Sequence, residues 1–131
     1  MTATNASRKK ILLVDDDRAH LQITAILLKG AGFDVIAAVD AVGAIGTAVK
    51  EKPDLMILDL GLPAGDGFVV LERLRMNLSL VGLPVIVVSA RDASRNRDAV
   101  IAAGASAMLQ KPVASEALLD AVHAVLRTAG H

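Results

Sequence analysis

Leu55-Met56-Ile57-Leu58-Asp59 is a run of four apolar residues closed by a carboxylate, and its form recurs along the chain. Ile11-Leu12-Leu13-Val14 leads into Asp15-Asp16, Val85-Ile86-Val87-Val88 into Ser89, and Ala107-Met108-Leu109-Gln110 into Lys111-Pro112. Continuous apolar runs without polar alternation are expected where both faces of a parallel sheet are covered. A buried helix segment would look similar, but these runs are short and several are rich in Val and Ile. Adding Phe33–Val39 and extending the last run to Ala105–Leu109 makes five strand candidates. If they are parallel, their carboxyl ends share one edge, where open α/β sheets place their ligands.

Segments of helical period fall between the runs. Asp17 is placed to cap a helix through Lys29, with Leu21, Ile23, Ile26, Leu27 and Leu28 inward and Gly30 near its end. Asp40 caps a second helix through about Lys50, and Pro53 prevents its continuation. Asp66-Gly67 opens a third through about Asn77, with Phe68, Val69, Leu71 and Leu74 apolar. A fourth lies near Ser94–Ala103 and stops at Gly104, and Ser115 caps a fifth carrying Leu118, Leu119, Val122, Val125 and Leu126. Strand–helix alternation predicts right-handed βαβ units and one α/β domain of five strands and five helices.

The bulk properties agree. A chain of 131 residues with 53% hydrophobic and 21% charged residues fills one domain and argues against disorder. Zero net charge supplies no field for nucleic acid or an anionic membrane, and Arg8-Lys9-Lys10 is too short to change that. The absence of cysteine excludes disulfides and thiolate chemistry and suits a reducing cytosol. No signal-peptide core or membrane-length apolar run occurs, so a cytoplasmic location is expected.

The strand ends carry the chemistry. An ionised Asp59 flanked by apolar residues is costly unless paired or metal-bound. A lone strand-end Asp often only caps the following loop; its coincidence with Asp15, Asp16, Ser89 and Lys111 favours a site. Asp15 and Asp16 are neighbours, so both face one site only where the strand turns into a loop. Mg²⁺ prefers octahedral oxygen ligands and takes one or two carboxylates with water and phosphate. Asp16 and Asp59 as direct ligands, with Asp15 acting through water, fit that preference. A carboxylate can also attack phosphorus and form an aspartyl phosphate. Lys111 and the Ser89 hydroxyl would then neutralise phosphoryl oxygens beside the divalent ion.

These residues resemble the receiver domain of two-component response regulators. The match runs through Val14-Asp15-Asp16, the stretch from Pro53 to Gly67, Val88-Ser89-Ala90, Gly104-Ala105 and Lys111-Pro112. It covers about Lys10 to Leu126. The resemblance implies a flavodoxin-like, doubly wound five-stranded parallel sheet of order 2-1-3-4-5. It implies that Asp59 takes a phosphoryl group from a phosphohistidine of a histidine kinase or phosphotransfer protein. Asp15, Asp16, Asp59 and the Gly61 carbonyl would hold Mg²⁺ or Mn²⁺, Ser89 and Lys111 would contact the phosphoryl group, and Pro112 would follow a cis bond. Such a domain is not a conventional enzyme; it catalyses its own phosphorylation and dephosphorylation and switches protein–protein contacts.

Departures from the family pattern bear on output. Met108 stands where receivers usually carry Tyr or Phe, so a switch through an inward-turning ring is not available in its ordinary form. Met108 either repacks or is plain core, and the second is favoured. Ser106-Ala107 replaces an acidic pair, Val113 replaces a common Phe, and no charged dimerisation pattern is evident on the last helix. A monomer or weak dimer is expected. The domain reading is a flexible arm over 1–9, the receiver over 10–127 and a tail over 128–131. That leaves two readings, a single-domain regulator or a receiver from a larger protein. His20 is expected on the first helix near the acidic edge, exposed with Arg18; it either touches a partner or has no role, and the second is favoured. Arg91, Arg95 and Arg97 read as a solvated face or a partner surface, and Gly61–Gly65 lacks a Walker ending. Two other readings compete: a degenerate receiver acting as a constitutive docking module, and an aspartyl-phosphate hydrolase. Asp15 and Asp17 form an Asp-x-Asp similar to haloacid-dehalogenase-type enzymes, but the later acidic metal pair of those enzymes is missing.

Overall fold

A computed structural model describes residues 8–62, 66–90 and 93–129. Its elements are β1 (Lys10–Val14), α1 (Arg18–Gly30), β2 (Asp34–Ala38), α2 (Ala41–Glu51), β3 (Leu55–Asp59), α3 (Asp66–Met76), β4 (Val85–Ser89), α4 (Ala93–Ala102), β5 (Ala107–Gln110) and α5 (Ser115–Ala129). The strands form one parallel sheet of order β2-β1-β3-β4-β5. This is the flavodoxin-like doubly wound order, with a topological switch point between β1 and β3. Residues 1–7, Pro63-Ala64-Gly65, Arg91 and the last two residues of the expected tail lie outside the described residues.

The continuous apolar runs are explained by two cores, one on each face. Successive side chains of a strand alternate. Leu12, Val14, Met56, Leu58, Val85, Val87 and Met108 therefore pack on one side with Ala44, Ala48, Val70, Leu71, Leu74 and Val100 of α2, α3 and α4. Ile11, Leu13, Leu55, Ile57, Ile86 and Val88 pack on the other side with Leu21, Leu28, Leu118 and Val122 of α1 and α5. Burying a side chain of this size contributes about 1.5–3 kcal/mol.

Helix starts follow the sequence closely. The Asp17 and Asp40 carboxylates accept from the backbone N–H groups of His20 and Gly43. Such caps contribute about 1 kcal/mol each. Lys52 ends α2 in the left-handed region at φ 50°, immediately before Pro53. Gly104, at φ 111°, ends the turn after α4.

Four expectations are corrected. Ile23 and Ile26 are 68% and 72% exposed, not inward. At about 100° per residue they stand well away from the line joining Leu21 and Leu28, which the sheet covers. On α5, the Leu118 N–H is taken by the Ala114 carbonyl, so Ser115 is the first helical residue and not the cap. The helix also runs to Ala129, past Arg127. Finally, β5 begins at Ala107: the Ala105 N–H still donates to the Val100 carbonyl of α4, and the chain joins the sheet only as the Ser106 N–H reaches the Val85 carbonyl of β4. Among the described residues, no helix is long and apolar enough to cross a membrane.

Candidate functional site

Side-chain alternation brings the site together. Asp15 continues the parity of Ile11 and Leu13, Asp59 that of Leu55 and Ile57, and Lys111 that of Ala107 and Leu109. All three therefore emerge at the carboxyl edge on the side of α1 and α5. Asp59 is the last residue of β3 and Ser89 the last of β4. The strand carrying Asp15 has ended at Val14, so the chain is turning there. The turn satisfies the condition for neighbouring acids to share a site: single carboxylate oxygens of Asp15, Asp16 and Asp59 lie within 4.8 Å of one another.

Asp15, Asp59 and Ser89 are buried, whereas Asp16 is exposed. Asp59 Oδ1 accepts the Gly61 N–H at 2.9 Å, and Asp59 Oδ2 meets Lys111 Nζ at 3.2 Å. Lys111 Nζ also lies 3.9 Å from Asp15 Oδ2. The Lys111 backbone N–H donates to the Ser89 carbonyl at 2.8 Å, which ties β5 to β4 as the chain leaves the sheet. The Lys111–Pro112 peptide bond is cis.

The acidic set suits a hard divalent cation. Three carboxylates this close repel one another, and one ammonium compensates them only in part. Asp15, Asp16 and Asp59 are the residues able to hold such an ion. Gly61 stands beside them with its N–H turned to Asp59, and a Cβ there would lie 3.2 Å from Asp59 Oδ1. The lack of a side chain keeps that contact free.

Below the acids, a cavity of about 130 Å³ runs between α1, α5 and the sheet, lined in part by Leu21, Thr24, Leu27, Val113 and Leu118. Met108, 2% exposed, is part of the core on the opposite face. Arg97 of α4 donates to the Met108 carbonyl at 3.4 Å; Arg95 lies in the same helix.

Two contributors lie outside the expected set. His20 is not a bystander: its Nδ1 is 2.5 Å from Asp15 Oδ2. The signal was available, because a side chain in the first turn of a helix leans toward the helix N-terminus and so toward Asp15. Gly67 is the other. A Cβ there would lie 2.9 Å from the Leu60 Cα and carbonyl oxygen, so only glycine lets α3 start against the turn that follows Asp59.

Relatives share this arrangement of elements. The family model of the response regulator receiver domain matches residues 11–123. The "DNA-binding dual master transcriptional regulator RpaA" of Synechocystis sp. is 39% identical over 118 residues, covering 90% of this chain and 49% of its own length. The response regulator MprA of Mycobacterium leprae is also 39% identical over 118 residues, covering 90% of this chain and 51% of its own. This chain thus spans about half the length of these relatives. Among solved structures, a CheY-like receiver domain protein from Methanospirillum hungatei superposes with a TM-score of 0.86 at 31% identity, covering 95% of this chain and 98% of its own. A response regulator from Chloroflexus aurantiacus gives 0.87 at 30% identity, covering 92% and 99%. The match of fold, strand order and nearly the full length leads to one conclusion: this chain belongs to the response regulator receiver domain family of two-component signalling.

Proposed function

We propose that Asp59 is the phosphoacceptor and takes a phosphoryl group from a phosphohistidine of a histidine kinase or phosphotransfer protein. The observation that carries the reading is the placement of Asp59: buried, within 4.8 Å of two further carboxylates and 3.2 Å from an ammonium. A purely structural aspartate gains nothing from two like charges at that distance. A phosphoryl group needs surroundings of this kind, with carboxylates to recruit a cation and a lysine to meet its oxygens.

In this reading an Asp59 oxygen bonds to phosphorus as the phosphorus–nitrogen bond to the donor histidine breaks. Gly61 N–H and Lys111 hold the carboxylate ready before the donor arrives. Lys111 then has a phosphoryl oxygen to bind as well, and Ser89, at the end of the adjacent strand, contacts a second. Asp15, Asp16 and Asp59 would hold Mg²⁺ or Mn²⁺ together with the Gly61 carbonyl. When bound, the ion supplies positive charge that offsets the carboxylates and the transferred oxygens. Hydrolysis by water returns Asp59 to its free form.

Phosphorylation changes contacts with a downstream protein, and the route differs from one that turns an aromatic ring. Met108 fills the corresponding place on β5 with a core side chain.

The test is intact mass after incubation with Mg²⁺ and acetyl phosphate, comparing wild type with Asp59→Asn, and repeated with a phosphorylated histidine kinase as donor. One phosphoryl adduct on the wild type, absent in the variant and without Mg²⁺, supports the reading. No adduct from either donor refutes it and leaves a constitutive docking module as the better account.

A further inference from the structure

We propose that His20 is a positioning residue for the divalent-cation site, holding Asp15 in the orientation the ion requires; this rests on the metal reading above. Asp15 is buried, and both of its oxygens are engaged from the start of α1. Oδ1 accepts the Asp17 N–H at 2.9 Å, and Oδ2 meets His20 Nδ1. An ionised carboxylate is acceptor-only, so the Nδ1 atom is the donor.

The ring is itself held in place. The His20 backbone N–H donates to the capping carboxylate of Asp17, which sets the first turn of the helix. Side chains in a helix lean toward its N-terminus, and this one reaches over the strand end onto Asp15. The alternative anchor is weaker. Lys111 Nζ lies 3.2 Å from Asp59 Oδ2 but 3.9 Å from Asp15 Oδ2. Without the imidazole, Asp15 keeps one firm donor, the Asp17 N–H, and can turn about its side-chain bonds toward Lys111. That rotation would dismantle the spacing of 4.8 Å or less that makes the three carboxylates a cation site.

Carboxylates and imidazoles at metal sites are held by hydrogen-bonded partners, and losing one partner weakens metal binding by about 10–100-fold. His20→Ala should therefore weaken Mg²⁺ binding about tenfold, while His20→Asn, whose amide nitrogen can occupy the place of Nδ1, keeps most of the affinity. Losing a donor to buried Asp15 also lowers stability without metal, so each variant's Mg²⁺-induced shift is read against its own melting temperature in EDTA.

The experiment is the Mg²⁺ dependence of the melting temperature for wild type, His20→Ala and His20→Asn, from which dissociation constants follow by linkage. Weakened binding in His20→Ala with recovery in His20→Asn is the expected result. Unchanged or tighter binding in His20→Ala overturns the positioning role alone, as does an Asn variant as weak as the Ala variant. A wild type that melts independently of Mg²⁺ removes the metal reading, and the positioning role with it.

Discussion

Asp59→Asn should stabilise the protein in EDTA and destabilise it, relative to wild type, in Mg²⁺. Two unit charges 4.8 Å apart repel by about 3.5 kcal/mol at an effective dielectric constant of ~20. Asp15 and Asp59 are both buried, so their repulsion is felt nearly in full; that with exposed Asp16 is screened by solvent to about half of it or less. Against this, Lys111 at 3.2 Å attracts Asp59 by about 5 kcal/mol on the same scale. These charge terms come close to cancelling. Desolvation then decides the sign, because burying an ionised carboxylate costs several kcal/mol and a neutral amide much less. Asn keeps an oxygen for the Gly61 N–H, and Lys111 keeps Asp15. The net expectation without metal is a stabilisation of at least about 1 kcal/mol, or roughly 4 °C or more in Tm for a chain of this size.

Mg²⁺ reverses the order. At a hundred times its dissociation constant, an ion bound only by the folded state stabilises it by about 2.7 kcal/mol. The variant, short of one ligand, gains less. The assay is thermal unfolding followed by far-ultraviolet circular dichroism, since the chain has no Trp or Tyr. A variant that melts below wild type in EDTA would show that the Lys111 pair outweighs repulsion and burial. That would refute the reasoning.

Two further outcomes follow from packing. Gly67→Ala places a Cβ 2.9 Å from the Leu60 backbone, so α3 or the turn before it must shift; a loss of about 1–3 kcal/mol in urea unfolding is expected, and an unchanged midpoint would contradict the contact. Leu28→Ala should cost about 2–5 kcal/mol, whereas Ile26→Gln on the same helix should stay within about 0.5 kcal/mol, a contrast that unfolding of the two variants checks directly.

The five-stranded parallel architecture was written in the linear pattern, because apolar runs such as Leu55–Leu58 and Val85–Val88 need cover on both faces. Caps at Asp17 and Asp40 were equally legible, since they depend on a side chain and an N–H three residues apart. So was the acidic set at the strand ends, which depends only on where each strand stops. Strand order was not derivable from the residues alone, and the family resemblance supplied it.

Which side of α1 faces the sheet was beyond local pattern. Ile23 and Ile26 are as apolar as Leu21 and Leu28, and only docking on the sheet chose between them. The contact of His20 with Asp15 depends on how α1 leaves its cap, and the need for glycine at position 67 on how closely α3 approaches Leu60. Periodicity, capping and strand polarity made three things readable from the chain: which residues prefer burial, the order of strands and helices along it, and which chemical groups meet at one edge. The tertiary structure alone decided which of several equivalent side chains touch, because contact depends on helix rotation and backbone approach between segments distant in sequence.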